Sequence, residues 1–92
     1  NEVSFLDVDR LCGPLAIRNW RPGDRYSPKG ADKKIKHLLQ RARVPAWERQ
    51  GWPVMTSGEK VVWCKKFGAS EETAPGANTR TVLSIREEPG GD

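Results

Sequence analysis

The alternation of apolar and polar positions divides the chain into short segments. Over residues 2–11, Val3, Phe5, Leu6 and Val8 stand among Asp7 and Asp9 in partial alternation, which predicts a first strand. Gly13-Pro14 breaks it. Leu15, Ile17 and Asn19 then alternate with Ala16, Arg18 and Trp20, a second strand that runs into Pro22-Gly23. Proline presets φ at the first central turn position and glycine allows positive φ at the second, so a type II turn is expected there. Residues 27–31 are rich in turn formers and read as a loop.

Ile35, Leu38, Leu39 and Ala42 fall at i, i+3, i+4 and i+7, a complete amphipathic stripe that predicts the main helix. Asp32 is the expected cap. Val44-Pro45 is the expected stop, because the residue before a proline disfavours the helical region. On this helix the solvent arc holds Lys33, Lys34, Lys36, His37, Gln40, Arg41 and Arg43. Residues 46–50 suggest a short helical turn that buries Trp47. Val54-Met55 and Val61-Val62-Trp63-Cys64 flank Thr56-Ser57-Gly58-Glu59, the pattern of a β-hairpin. Residues 69–78 are small and polar, a mobile loop. Thr81, Leu83 and Ile85 alternate with Arg80, Val82 and Ser84 in a last strand. The expected fold is α+β: mostly antiparallel strands around one main amphipathic helix, in a single domain over residues 1–86 with a frayed tail over 87–92.

With 92 residues the core is small, and four Trp supply much of its bulk. No apolar run reaches the length of a membrane span and no signal peptide is visible, so a cytoplasmic protein is expected. Because the chain begins at Asn1 and Met55 is its one Met, we read it as a domain of a longer protein. Cys12, Cys64 and the single histidine are too few soft ligands for a structural zinc, and the cysteines read as small packing residues in a reducing compartment.

Charge changes the picture more. The overall net charge of +4 hides an asymmetry: the span from Arg18 to Arg49 holds ten Lys/Arg against three Asp/Glu, and the rest of the chain is net negative. Basic charge gathered on one module is the footprint of a polyanion partner. The candidate RNA-binding residues are Arg18, Arg21, Arg25, Tyr26, Lys33, Lys34, Lys36, Arg41 and Arg49. Arginine forks suit phosphates, and Tyr26 is the aromatic expected to be exposed. Lys33, Lys34 and Lys36 would stand at the positive end of the helix dipole, where cations are unfavourable. Free backbone N–H groups with three ammoniums there would make a phosphate site. The competing explanation is a solvated basic face, with Arg25 or Arg49 paired to a nearby carboxylate. The four Trp read as core residues before base-stacking ones. His37 has no partner carboxylate that would make it a general acid, and no nucleophile–base pair supports a hydrolase.

Four blocks, in order, carry a resemblance. They are Arg18-x-x-Arg21-x-Gly23-Asp24-Arg25-Tyr26-x-Pro28-x-Gly30; Lys33-Lys34-Ile35-Lys36-x-Leu38-Leu39; Val44-Pro45-x-Trp47-x-Arg49-x-x-x-Pro53-Val54; and Val61-Val62-Trp63. Together they resemble the C-terminal substrate-recognition domain of bacterial tRNA(Ile)-lysidine synthetase, over roughly residues 15–86. That resemblance implies a β-sandwich-like module with a helix, related to a domain of phenylalanyl-tRNA synthetase β subunits. It implies a parent enzyme that uses ATP to join lysine to the wobble cytidine of tRNA(Ile), with the chemistry in a separate N-terminal domain bearing Ser-Gly-Gly-x-Asp-Ser. No such motif occurs in this sequence, so no catalytic residue, cofactor or metal is expected here. What the resemblance implies for this chain is tRNA binding, associated with the acceptor stem. The alternative from another class is a protein-interaction module whose basic surface meets an acidic protein.

Overall fold

The computed structural model describes residues 3–87. It is α+β, with antiparallel pairing throughout. In chain order the elements are β1 (Val3–Asp7), a 3-10 turn (Val8–Arg10), β2 (Leu15–Asn19), β3 (Arg25–Lys29), β4 (Ala31–Lys34) and α1 (Ile35–Arg41). There follow α2 (Ala46–Arg49), β5 (Pro53–Ser57), β6 (Lys60–Cys64), β7 (Gly68–Ala69), a second 3-10 turn (Glu71–Thr73) and β8 (Val82–Arg86). A four-stranded sheet, β2-β5-β6-β7, forms the middle, with the pairs β1-β8 and β3-β4 completing the fold. Tail residues 88–92 lie outside the described residues.

Both faces of the central hairpin are covered. Val54, Val61 and Cys64 join Tyr26, Ile35, Leu38, Leu39, Val44 and Trp52 in one core. Met55, Val62 and Trp63 join Leu6 in another, with Leu83 and Ile85 of β8 packed against it. Two neighbours on β6, Val62 and Trp63, reach the same core because the register slips there: Met55 faces Trp63 and Thr56 faces Val61. The extra residue is a β-bulge, which lets consecutive side chains share a side. The β5–β6 connection needs Gly58, which has φ 62° and whose Cβ, if present, would stand 2.7 Å from the Cys12 carbonyl oxygen. Cys64 is fully buried, and burial pushes its thiol up to about 12, so it is a neutral packing residue. The other cysteine, Cys12, is exposed and free.

Several expectations need correction. The helix begins at Ile35, and residues 31–34 are strand. Asp32 is not a cap, and Lys34 occupies the N-cap position without a side-chain bond. The reason is a partner the local pattern could not show: residues 25–29, expected to end in a loop, pair with residues 31–34, with Tyr26 opposite Lys33 and Arg25 opposite Lys34. Strand pairing overrides the helical preference of the two lysines. Gly30, with φ 78°, makes the tight connection.

The turn at Pro22-Gly23 is closed by Asp24 N–H donating to the Arg21 carbonyl at 2.9 Å, but Gly23 does not take positive φ, so it is not type II. Asp24 anchors it instead, accepting from the Arg21 N–H at 2.7 Å. Within the expected loop at 69–78, Ser70 and Thr73 are buried and bonded side chain to side chain at 2.6 Å.

The helix stop is more than a proline effect. Val44 N–H donates to the Leu39 carbonyl and Arg43 N–H to the Gln40 carbonyl, with Arg43 at φ 58°. That is a Schellman motif, and Leu39 and Val44 supply its hydrophobic contact inside the core. Glycine is the usual residue at the left-handed position, yet here it is an arginine.

Candidate nucleic-acid interface

Pairing β3 with β4 and folding α1 back on them creates a groove of about 390 Å³. Its walls carry Arg25 from β3, Asp32, Lys33 and Lys34 from β4, and His37, Leu38, Gln40 and Arg41 from α1. Lys34, His37 and Arg41 follow at spacings of three and four, so they form one ridge along the helix start and its face. Four of the nine candidate residues therefore converge: Arg25, Lys33, Lys34 and Arg41. The single carboxylate in the lining, Asp32, sits 2.6 Å from Arg25 Nε, and both side chains are about half exposed. The groove keeps a surplus of positive charge.

The other five candidates lie elsewhere. Lys36 is exposed on α1 but does not line the groove. Arg21 is exposed beside the turn. Arg18 is committed internally: its Nη1 and Nη2 donate to the two Asp24 carboxylate oxygens at 2.8 and 3.0 Å, and Nη1 also reaches the Asn19 carbonyl. Burial works to raise the Asp24 pKa, but the Arg18 hydrogen bonds and the Arg21 N–H outweigh it, so the carboxyl lies below its usual range. The hydrogen bond to Asp24 in turn raises the Arg18 pKa. Arg49 does not pair with Glu48; its Nε donates to the Val44 carbonyl at 2.8 Å, bracing the loop between the helices.

Tyr26 is the clearest correction. Expected at the surface, it is buried within the core, and its hydroxyl donates to the Gly68 carbonyl at 3.2 Å. Burial also raises its pKa. In a strand, alternate residues face opposite sides, so Tyr26 points inward while Arg25 points to the groove. Trp47 errs the other way: expected to be buried, it is 78% exposed, because α2 packs through the Trp20 indole N–H, bonded to the Arg49 carbonyl at 2.6 Å, and not through Trp47. Trp52 and Trp63 are buried as expected, and Trp20 is half-buried.

A second groove, of about 290 Å³, shares Lys33 and Leu38 with the first and adds Pro28, Lys66 and Phe67. Only the raw count of lysines after Cys64 hinted at it in the sequence. Among the described residues no group of three or more His, Cys, Asp or Glu side chains could hold a metal ion, and no helix is long and apolar enough to cross a membrane.

Comparison with known proteins is consistent across sequence and structure. Over 88 residues the chain is 47% identical to the tRNA(Ile)-lysidine synthase of Solibacter usitatus (strain Ellin6076), covering 94% of this chain and 20% of that protein. The tRNA(Ile)-lysidine synthase of Symbiobacterium thermophilum is 41% identical over 95 residues, covering 99% of this chain and again 20% of the relative. The chain thus spans about a fifth of the length of these curated relatives. A solved structure described as the crystal structure of the TILS C-terminal domain superposes with a TM-score of 0.76 at 28% identity, covering 91% of this chain and 68% of the other. With the family model matching residues 15–86, the span in which both grooves lie, this chain belongs to the TilS substrate C-terminal domain family.

Proposed function

We propose that this domain binds tRNA(Ile) and orients it, through its acceptor stem, for ATP-dependent lysine ligation carried out by a separate N-terminal domain of the same cytoplasmic protein. One observation supports this reading most: Arg25, Lys33, Lys34 and Arg41 line one open groove with a single, already paired carboxylate. An A-form stem offers phosphates and 2′-hydroxyls across a shallow surface, which suits a cationic groove without a deep pocket. Arg21 and Lys36 widen the positive field around it. Arg18, Arg49 and Tyr26 serve by holding the scaffold. The domain contributes affinity and position, raising the effective concentration of the tRNA at a distant catalytic site.

The test is a titration of the domain with tRNA(Ile) transcript at several salt concentrations. If about four phosphates are neutralised, log K should fall with log salt with a slope near −3.6 on the duplex rule, and less on irregular RNA. Polyglutamate of matched charge serves as competitor. A salt-independent affinity would argue against the electrostatic reading and favour an apolar protein interface, and displacement by polyglutamate as readily as by RNA would favour an acidic protein partner.

A further inference from the structure

Lys66 stands where the backbone least wants a lysine. Among the described residues only Arg43 and Lys66 combine a side chain with positive φ, and Lys66 has the larger value, 78°. Phe67 N–H donates to the Cys64 carbonyl at 3.1 Å, so Cys64-Lys65-Lys66-Phe67 is a turn with its left-handed residue at the third position, the place glycine usually fills. The turn is held firmly. The Trp52 indole donates to the Lys65 carbonyl at 3.0 Å, and the Lys65 ammonium lies 5.2 Å from the Trp52 ring centroid. The buried Tyr26 hydroxyl fixes the next residues through the Gly68 carbonyl. A strained backbone kept in place by core contacts, and used to project an exposed cation, is the kind of local conflict that function sustains.

The position of this cation gives the strain a use. Lys66 and Lys33 flank the second groove, whose remaining lining is Pro28, Leu38 and Phe67. Lys33 and Leu38 also line the first groove, so the two lie side by side, separated by these shared residues. A track with cations at intervals and an apolar floor between them matches a nucleic-acid backbone, where charged phosphates alternate with the C–H faces of sugars.

We propose that bound RNA continues from the first groove past Lys33 onto this turn, that Lys66 holds a further backbone phosphate there, and that Phe67 and Pro28 receive the intervening sugar. The inference rests on the RNA-binding reading above and extends its footprint to β6–β7, outside the basic segment of the sequence.

Lys66→Gly separates binding from folding, because glycine suits the left-handed position and the side chain it removes, ammonium included, is exposed. It is measured beside Lys33→Ala and the control Lys60→Ala, each by thermal melt and by titration with tRNA(Ile) transcript over a salt series. The expected result is a Lys66→Gly domain that melts at or above the parent, binds RNA several-fold more weakly, and has a salt slope shallower by about 0.9, one phosphate's share. Lys60→Ala should bind as the parent does. If Lys66→Gly keeps the parent's affinity and slope while Lys33→Ala loses affinity, the extension is wrong and the first groove stands. If neither variant weakens binding, the RNA lies on another face and both readings fall. Lys66→Asn, which also tolerates left-handed φ, guards against an effect of glycine's flexibility: affinity equal to the parent's in that variant would overturn the ammonium's role.

Discussion

Arg25 and Lys34 stand directly opposite each other on the paired strands β3 and β4, two like charges across a ladder. Such a pair is destabilising unless something lies between, and Asp32, two residues back on the same face, provides it at 2.6 Å from Arg25. The groove is therefore tuned between stability and charge. We expect Lys34→Thr to raise stability by about 0.2–1 kcal/mol, since it removes the repulsion and adds a better strand former, and to weaken tRNA binding. Asp32→Asn should do the opposite, with a small loss of stability and tighter binding at low salt. Melts and titrations on the two variants check the opposed signs; changes of equal sign would show that the groove charges do not meet the RNA.

The Arg18–Asp24 pair sets an acid limit. Asp24 has a folded pKa below its ordinary 3.8, so its contribution is fully present above that value and is lost as the pH falls through the lower, folded value. Asp24→Asn should cost about 1–3 kcal/mol at neutral pH, by taking the charge from two arginine hydrogen bonds and weakening the turn contact to Arg21. Melting curves between neutrality and strong acid should show the parent and Asp24→Asn converging below about pH 4. A gap that persists unchanged in acid would mean that the pair is not what stabilises the turn.

The tryptophans should divide sharply. Trp52→Ala removes a buried indole and its bond to Lys65, a loss of about 3–5 kcal/mol. Trp47→Ala should change stability by no more than about 0.5 kcal/mol, because the ring is mostly in water. Denaturant midpoints measure both, and an equal loss would place Trp47 in the core after all.

Arg43 closes α1 in a left-handed conformation that favours glycine. Arg43→Gly should therefore stabilise the domain by about 1 kcal/mol, with glycine's greater freedom when unfolded offsetting part of the gain. A lowered melting temperature would show that the Arg43 side chain makes a contact worth more than the strain.

How far the sequence could be read followed from which interactions are local. The stripe Ile35, Leu38, Leu39 packs as its spacing indicates, and the expected hairpin forms, though its turn is only Gly58-Glu59, since Thr56 and Ser57 of the expected turn join β5. The local pattern puts Lys33 and Lys34 on the helix because their strand partner, residues 25–29, carries Pro28 and runs into residues 27–31, which read as a loop. With them went the idea of a phosphate site at a helix start: α1 has seven residues, and only Lys36 of the three lysines belongs to it. The convergence of basic residues survived the error, since Lys33, Lys34 and Arg41 still meet, by strand pairing where a helix face was expected. Tyr26 and Trp47 exchanged places for a similar reason. Burial of a lone aromatic depends on what packs across from it, and neither neighbour was visible in the local pattern.

The pairing of Val3 with Arg86 has a consequence in time. Within the domain β1 precedes β8 by some seventy-five residues, so during synthesis Leu6, fully buried in the finished domain, can meet Met55, Val62 and Trp63 before its strand partner Leu83 arrives to complete the cover. The β5–β6 hairpin and α1 involve near neighbours and can form earlier, while contacts distant in sequence come late. The groove face can therefore take shape on a nascent chain whose opposite side is still open, and β8 closes it.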